Sequence, residues 1–285
     1  MPLLKPEHIT GDLRLWLRAD SLEGTSKSNI SVWPDESGNG YHATQSTADD
    51  QPAILNDHQN GLPALVFDGS SDFMTLDGTD TAGDNSPLDA GSSSILCATV
   101  CSPDAASGST ETIWSMNEDS SDAAMWWRWN KKFNFFYHQG TTALQSTVYD
   151  AGDTVVAVAS LNDSDVLSWR LDGVQKDSRT GETGGTDAGP FYLAAENGGS
   201  PFFNGKLYEI IIFHSDLSDY VDEIEGYLHH KWGLQSSLPS SHTYVDTPPV
   251  AGYTVIGTTL ASSDLSETLE GDMDAPLNMR DRYHG

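Results

Sequence analysis

Apolar residues in this chain come in short bursts, and clusters of Gly, Asp, Ser and Asn separate them at fairly regular intervals. That texture admits few folds. Bursts of four to eight residues suit strands and are too short for most helices. The polar clusters supply turn conformations. Residues 13–19 alternate, with apolar side chains at the odd positions. Residues 64–67 and 73–76 flank the turn Asp68-Gly69-Ser70-Ser71. Residues 94–101, 112–116 and 154–161 read as buried strands. Residues 125–129 and 133–138 form a hairpin through Asn130-Lys131-Lys132. Residues 166–171 pair with 154–161, Asp172-Gly173 is a tight turn, and 191–195 and 206–213 complete the set.

One helix is predicted at about 218–232. Ser218 is its expected cap, with Asp219, Asp222 and Glu223 in the first turn, where the dipole favours anions. Tyr220, Val221, Ile224, Tyr227 and Leu228 recur at helical spacing, and Gly233 ends the helix. The boundary then falls near residue 245: a sandwich over 1–245, and a linker with an extended acidic tail over 246–285. The Pro-punctuated stretch 239–249 reads as linker. Apolar residues in the tail keep no strand or helix period, so it is expected to order only against a partner. Arg280, Arg282 and Tyr283 are its anchoring residues.

Charge excludes some partners. Lys and Arg number 14 against 42 Asp and Glu, a net charge of −28. Such a chain repels nucleic acid and anionic membranes. No apolar run is long enough for a membrane helix, and residues 1–8 lack the pattern of a secretory signal. Synthesis in a cytoplasm is the expectation. Cys97 and Cys101 are four apart in one strand, about 13 Å at roughly 3.3 Å per residue. A disulfide needs less than about 7 Å, so both are expected free and buried.

Three segments carry a family resemblance. They are Leu15-Trp16-Leu17-Arg18-Ala19-Asp20, then Val32-Trp33-Pro34-Asp35-Glu36-Ser37-Gly38-Asn39-Gly40-Tyr41-His42-Ala43, and Phe67-Asp68-Gly69-Ser70-Ser71-Asp72-Phe73. Together they resemble the opening of bacterial and phage laminin-G-like domains. Residues 203–213 and Glu225-Gly226-Tyr227-Leu228-His229-His230-Lys231-Trp232-Gly233-Leu234 are similar to the closing strand and helix of that family, and more distantly to pentraxins. The resemblance implies an all-β, two-sheet antiparallel, concanavalin A-like jelly-roll sandwich with one short C-terminal helix. Asp35–Gly40 and Asp68-Gly69 read as turns, and His42 as a strand-edge residue rather than a ligand.

The chemistry is weighed on that frame. Concanavalin A-like hydrolases place acid and nucleophile on one strand as Glu-x-Asp-x-x-Glu, and no Glu here begins that pattern. Glu111, Glu118 and Glu196 are left as an unfamiliar pair at most, so the protein is expected not to be an enzyme. The pentraxin likeness implies a calcium loop at Glu196 and Asn197, with Asp68 and Asp72 contributing; a solvated turn is the competing reading. The aromatic hairpin offers Trp126, Arg128, Tyr137 and His138 as a sugar-stacking or interface platform, against an ordinary two-sided buried strand. The expected role is a tailed-phage virion protein, a head or tail decoration. It would be a homo-oligomer held by other capsid or tail proteins, with a lectin-like domain facing glycans. A bacterial carbohydrate-binding module is the alternative, and a glycoside hydrolase the third reading.

Overall fold

The computed structural model describes residues 2–23, 29–77, 87–88, 94–104, 110–116, 125–129, 132–136, 144–145, 152–182, 190–196 and 198–251, with backbone alone at 77, 125–129, 136 and 144–145. The first strands are β1 (Leu13–Arg18), β2 (Val32–Trp33), β3 (His42–Thr44), β4 (Ala53–Gln59), β5 (Leu62–Asp68) and β6 (Met74–Asp77). Next come β7 (Ile95–Pro103), β8 (Glu111–Met116), β9 (Met125–Trp129), β10 (Lys132–Phe136) and β11 (Leu144–Gln145). The last are β12 (Val155–Leu161), β13 (Val166–Leu171), β14 (Val174–Thr180), β15 (Phe191–Leu193) and β16 (Asn204–Phe213), followed by helix α1 (Val221–Trp232).

These strands form two antiparallel sheets. The first runs β14-β13-β12-β7-β16-β5-β4. β5 pairs with residues 204–207 of β16, and β1 takes over the same edge along 209–213. The second runs β11-β10-β9-β8-β15-β6-β3-β2. The core lies between them. Phe135 of the second sheet stacks on Trp169 of the first at 5.7 Å between ring centroids, and Trp114 stacks on Phe191 at 5.1 Å. Cys97 and Cys101 are buried and unbridged in β7, and burial pushes the Cys97 thiol pKa up. The expected all-β sandwich with one short helix is what the chain forms.

β1 is buried on both faces, contrary to its alternating pattern. Leu15, Trp16 and Leu17 are all buried, because α1 covers the outer face of the first sheet there. Glu209 of β16 is fully buried under the helix, with a donor on every side. It accepts hydrogen bonds from Trp16 Nε1 (2.7 Å), Tyr227 OH (2.8 Å), Lys231 Nζ (2.7 Å) and Trp232 Nε1 (2.8 Å). Lys231 also reaches Asp20 at 2.9 Å. A buried carboxylate is tolerated only when paired and hydrogen-bonded, and this arrangement joins β1, β16 and α1.

Two expectations are corrected. Ser218 does not cap α1. It lies in a 3-10 turn, Ser218–Tyr220, and donates its hydroxyl and N–H to Asp216; the N-cap of α1 is Tyr220. Asp216 is the better acceptor because its carboxylate can take both donors at once. The second correction concerns 239–249, expected as linker. The compact unit extends to Ala251, and this segment straps the helix to the sheet. Leu238 and His242 are buried, Tyr244 closes over Gly226, and Leu4 N–H donates to Pro249 O at 2.9 Å. Proline and serine density marks irregular backbone, which here is packed. The tail from 252 onward, with Arg280, Arg282 and Tyr283, lies outside the described residues.

Candidate functional site

Opposed residues in an antiparallel ladder share a face, so register identifies what the outer surface of the second sheet presents. Val32 opposes Thr44, Thr44 opposes Thr75, Thr75 opposes Tyr192, and Tyr192 opposes Ser115. The neighbouring row, Trp33, Ala43 and Leu76, is buried in the core. Val32, Thr44, Thr75 and Tyr192 therefore form a row across β2, β3, β6 and β15, and none of the four is buried.

At the β2 end of that row lies a groove of about 520 Å³, lined by Ser31, Val32, Thr44, Gln45, Ser46, Phe73 and Thr75. Its floor is tied down by the Gln45 amide. Gln45 Nε2 donates to Phe73 O (3.2 Å), Gln45 Oε1 accepts from Thr47 N–H (3.0 Å), and the Gln45 N–H donates to Ser31 O (3.0 Å). The aromatic wall is similarly fixed. Phe73 packs on Phe202 at 6.4 Å between centroids. Gly198 fits between Phe73 and Tyr192: a Cβ there would lie 3.1 Å from Tyr192 and 3.4 Å from Phe73, and its φ of +69° suits glycine. The groove thus offers a half-buried ring, hydroxyls and a fixed amide. Among the described residues, no Lys, Arg, His, Asp or Glu lines it. Of the groove residues only Val32 and Phe73 stood in motifs singled out from sequence; the alternation of β3 and β6 was the available signal for the rest.

The residues expected to carry a site fall as follows. Trp126 opposes Phe135, and Arg128 opposes Phe133 in register; both Phe rings are buried, while the side chains of 126 and 128 lie outside the described residues. Tyr137, His138, Asn197 and Glu118 also lie outside them. Glu111 is buried at the start of β8, and Glu196 closes a two-way backbone bridge with Gly199. His42 accepts the Asp35 N–H through Nδ1 at 3.0 Å, a structural role.

Asp68 and Asp72 form a self-contained turn. Asp68 Oδ1 accepts N–H bonds from Ser70, Ser71 and Asp72, and its Oδ2 accepts the Ser70 hydroxyl at 2.8 Å and the Ser71 hydroxyl at 3.5 Å. A carboxylate has about four acceptor sites, so little is left for a cation. Among the described residues, Asp222, Glu225 and His242 are the one trio of metal-ligating side chains that converge, and Asp68, Asp72 and Glu196 do not. Asn197, the remaining member of the expected calcium set, lies outside the described residues. The trio is also occupied: Arg170 donates to Glu225 at 2.9 and 2.8 Å and to Asp222 at 3.4 Å. Its guanidinium already supplies the positive charge that a metal would bring.

Burial opposes ionisation of Asp68, but the backbone donors outweigh it and hold its carboxyl well below the usual range. Asp72 is pushed the other way, up to about 6, by burial and then by the charges of Asp68 and Asp50. An unfolded Asp loses its proton near pH 3.9. Between about pH 4 and 6 the folded protein therefore holds a proton that the unfolded chain has released, and stability falls as pH rises through that window. Asp72→Asn keeps an oxygen for the Asp68 N–H, bonded at 3.0 Å. It should raise stability at pH 8 by about 1–2 kcal/mol after solvent screening, and the gain should vanish near pH 4. Urea melts at both pH values measure it; equal shifts at pH 4 and 8 would refute the titration.

Comparison with known proteins places the chain by shape. No family model matches it, and no curated protein does. Solved structures do. The binding domain of Paraclostridial Mosquitocidal Protein 1 superposes with a TM-score of 0.57 at 11% identity, over 76% of this chain and 52% of that one. The fold is a β-sandwich module. Domain 4 of AbnA, a GH43 extracellular arabinanase from Geobacillus stearothermophilus, solved with arabinotriose, matches the sandwich with a TM-score of 0.51 at 18% identity, over 71% of this chain and 92% of that one. Trypanosoma rangeli sialidase, solved with sialic acid, matches it with a TM-score of 0.54 at 14% identity, over 81% of this chain and 35% of the enzyme. The sandwich therefore spans about a third of the sialidase and nearly all of the arabinanase domain.

Proposed function

We propose that this sandwich is a non-catalytic carbohydrate-binding module of the laminin-G-like kind, with its sugar in the groove beside Phe73. The groove itself carries the reading. Sugar recognition needs an apolar ring face and a few fixed polar groups, and the lining supplies both. The arabinotriose complex of a similar domain supports the ligand class. Among the described residues, no carboxylate lines the groove, which supports binding without hydrolysis. At the level of biological setting, the laminin-G-like motifs and the net charge of −28 favour a surface appendage of a tailed-phage particle. There the module would contact host glycans, and antibody labelling of purified particles tests that placement.

Thr75→Arg is the direct test of the site. The new side chain projects from the middle of the row into the groove, while the core side of β6 is untouched. Titration of arabinotriose and of glycan-array hits should show binding to the native protein and at least a tenfold loss in the variant, about 1.4 kcal/mol, with unchanged thermal melting. Equal binding by both proteins would move the site elsewhere. Release of reducing ends during the titration would make the protein a hydrolase.

A further inference from the structure

Gln45 is the one buried polar side chain among the described residues that line the groove, with 8% of its surface exposed. Its neighbours settle which end of the amide is which. Phe73 O can only accept, so it faces Nε2, and the Thr47 N–H can only donate, so it faces Oε1. The backbone of Gln45 is held as well: its N–H donates to Ser31 O at 3.0 Å, and its carbonyl accepts from Gln51 Nε2 at 2.7 Å. The amide is therefore fixed in place and in orientation. A primary amide has two hydrogens to donate and two lone pairs to accept with. Phe73 O takes one hydrogen and the Thr47 N–H takes one lone pair. One Nε2 hydrogen and one Oε1 lone pair remain, on a nearly buried group in the wall of the groove.

We propose that Gln45 reads a pair of adjacent hydroxyls on the sugar ring that packs against Phe73. The inference rests on the carbohydrate-binding reading and names the feature its ligand must carry. A hydroxyl both donates and accepts. Of two hydroxyls on neighbouring ring carbons, one can accept the spare Nε2 hydrogen while the other donates to Oε1. The amide is planar, so its donor and acceptor keep one spacing and the two hydroxyls are read as a unit, as a Gln or Asn amide reads the paired donor and acceptor of adenine. Because Nε2 also holds Phe73 O, the amide and the aromatic wall are tied to each other. Sugars in which either hydroxyl is removed, acylated or used in a linkage are discriminated against, since they would cover the amide and leave part of it unpaired.

A monodeoxy scan of the strongest glycan-array hit tests it, titrated on the native protein, Thr75→Arg and Gln45→Met. On the native protein, removal of either of two neighbouring hydroxyls should weaken binding about tenfold or more, and removal of the others should not. Gln45→Met keeps an unbranched side chain of similar length and has no amide. It should bind the parent sugar and its deoxy analogues alike, so the discrimination disappears even if loosening of Phe73 lowers every affinity. The two Nε2 proton signals of Gln45, assigned by their loss in Gln45→Met, should shift in the native protein with the parent sugar and less with the two sensitive analogues. That shift tests the contact even if the variant fails to fold. Deoxy analogues that all bind native protein as tightly as the parent, with binding lost in Thr75→Arg, would overturn the reading of the hydroxyls and leave the site standing. Discrimination that survives in Gln45→Met, or Nε2 signals unmoved at saturation, would remove Gln45 from that role. An array with no signal, or signals insensitive to Thr75→Arg, would overturn the site and this inference with it.

Discussion

Glu209→Ala should cost the sandwich about 3–5 kcal/mol, the amount typical of removing one partner from a buried ion pair. The variant leaves Trp16 Nε1, Trp232 Nε1 and the Tyr227 hydroxyl without the acceptor they share. It also leaves the Lys231 ammonium, nearly buried, with Asp20 at 2.9 Å as its remaining carboxylate partner among the described residues. Burial, reinforced by Glu209, raises the Tyr227 hydroxyl pKa well above its ordinary value, so ionisation of Tyr227 cannot relieve the loss. Glu209→Gln retains one oxygen acceptor and should lose less. Urea unfolding followed by tryptophan fluorescence measures both, since two of the indoles bond to this carboxylate. A midpoint for Glu209→Ala within experimental scatter of the native value would show that β1, β16 and α1 are held by packing alone.

Asp35→Ala should cost about 2–3 kcal/mol and also weaken sugar binding. Asp35 Oδ1 accepts the N–H groups of Trp16 and Ser37, and Oδ2 accepts those of Gly40 and Tyr41 and the Ser37 hydroxyl. Each buried donor left unmade costs about 1–3 kcal/mol, and water reaching the exposed part of the turn returns some of that. The functional loss follows from geometry. This turn joins β2 to β3, and those strands carry Val32 and Thr44 into the groove. Asp35→Asn should fall between native and Asp35→Ala in both stability and affinity. An Asp35→Ala protein that melts lower yet binds glycans with native affinity would separate the turn from the site.

The sequence disclosed the central strands and left the peripheral ones unread. β7, β12 and β16 are continuous apolar runs because both faces are covered, so burst length alone marks them. The β12–β13 pair and the Asp172-Gly173 turn that follows β13 were equally legible, and both turn residues have positive φ, +47° and +72°. β4 and β14 were missed. Leu-Asn-Asp-His in β4 and Gln-Lys-Asp-Ser in β14 present mostly polar side chains at sheet edges, where no burial imposes a period. The groove was hidden for a related reason. It is assembled from one or two residues on each of several strands and loops, all of ordinary surface type, and only register brings them together. Density of aromatics pointed instead to the β9–β10 hairpin, where Phe133 and Phe135 serve the core.

The sandwich unit also closes on itself like a purse string. Leu3 bridges Val250, Leu4 N–H donates to Pro249 O, and Ala251 N–H donates to Pro2 O. The two ends of the unit are thus antiparallel neighbours. Tension applied through them loads these bonds one after another, from the open end inward, rather than all at once. The clasp should therefore part at low force, as a zipper does. The load then passes to the strap at His242 and to the turn at Pro6–His8, while β1 and β16 remain paired. A sandwich tethered at this point can absorb a pull by paying out a few residues of slack before its sheets, and the groove they carry, feel any of it.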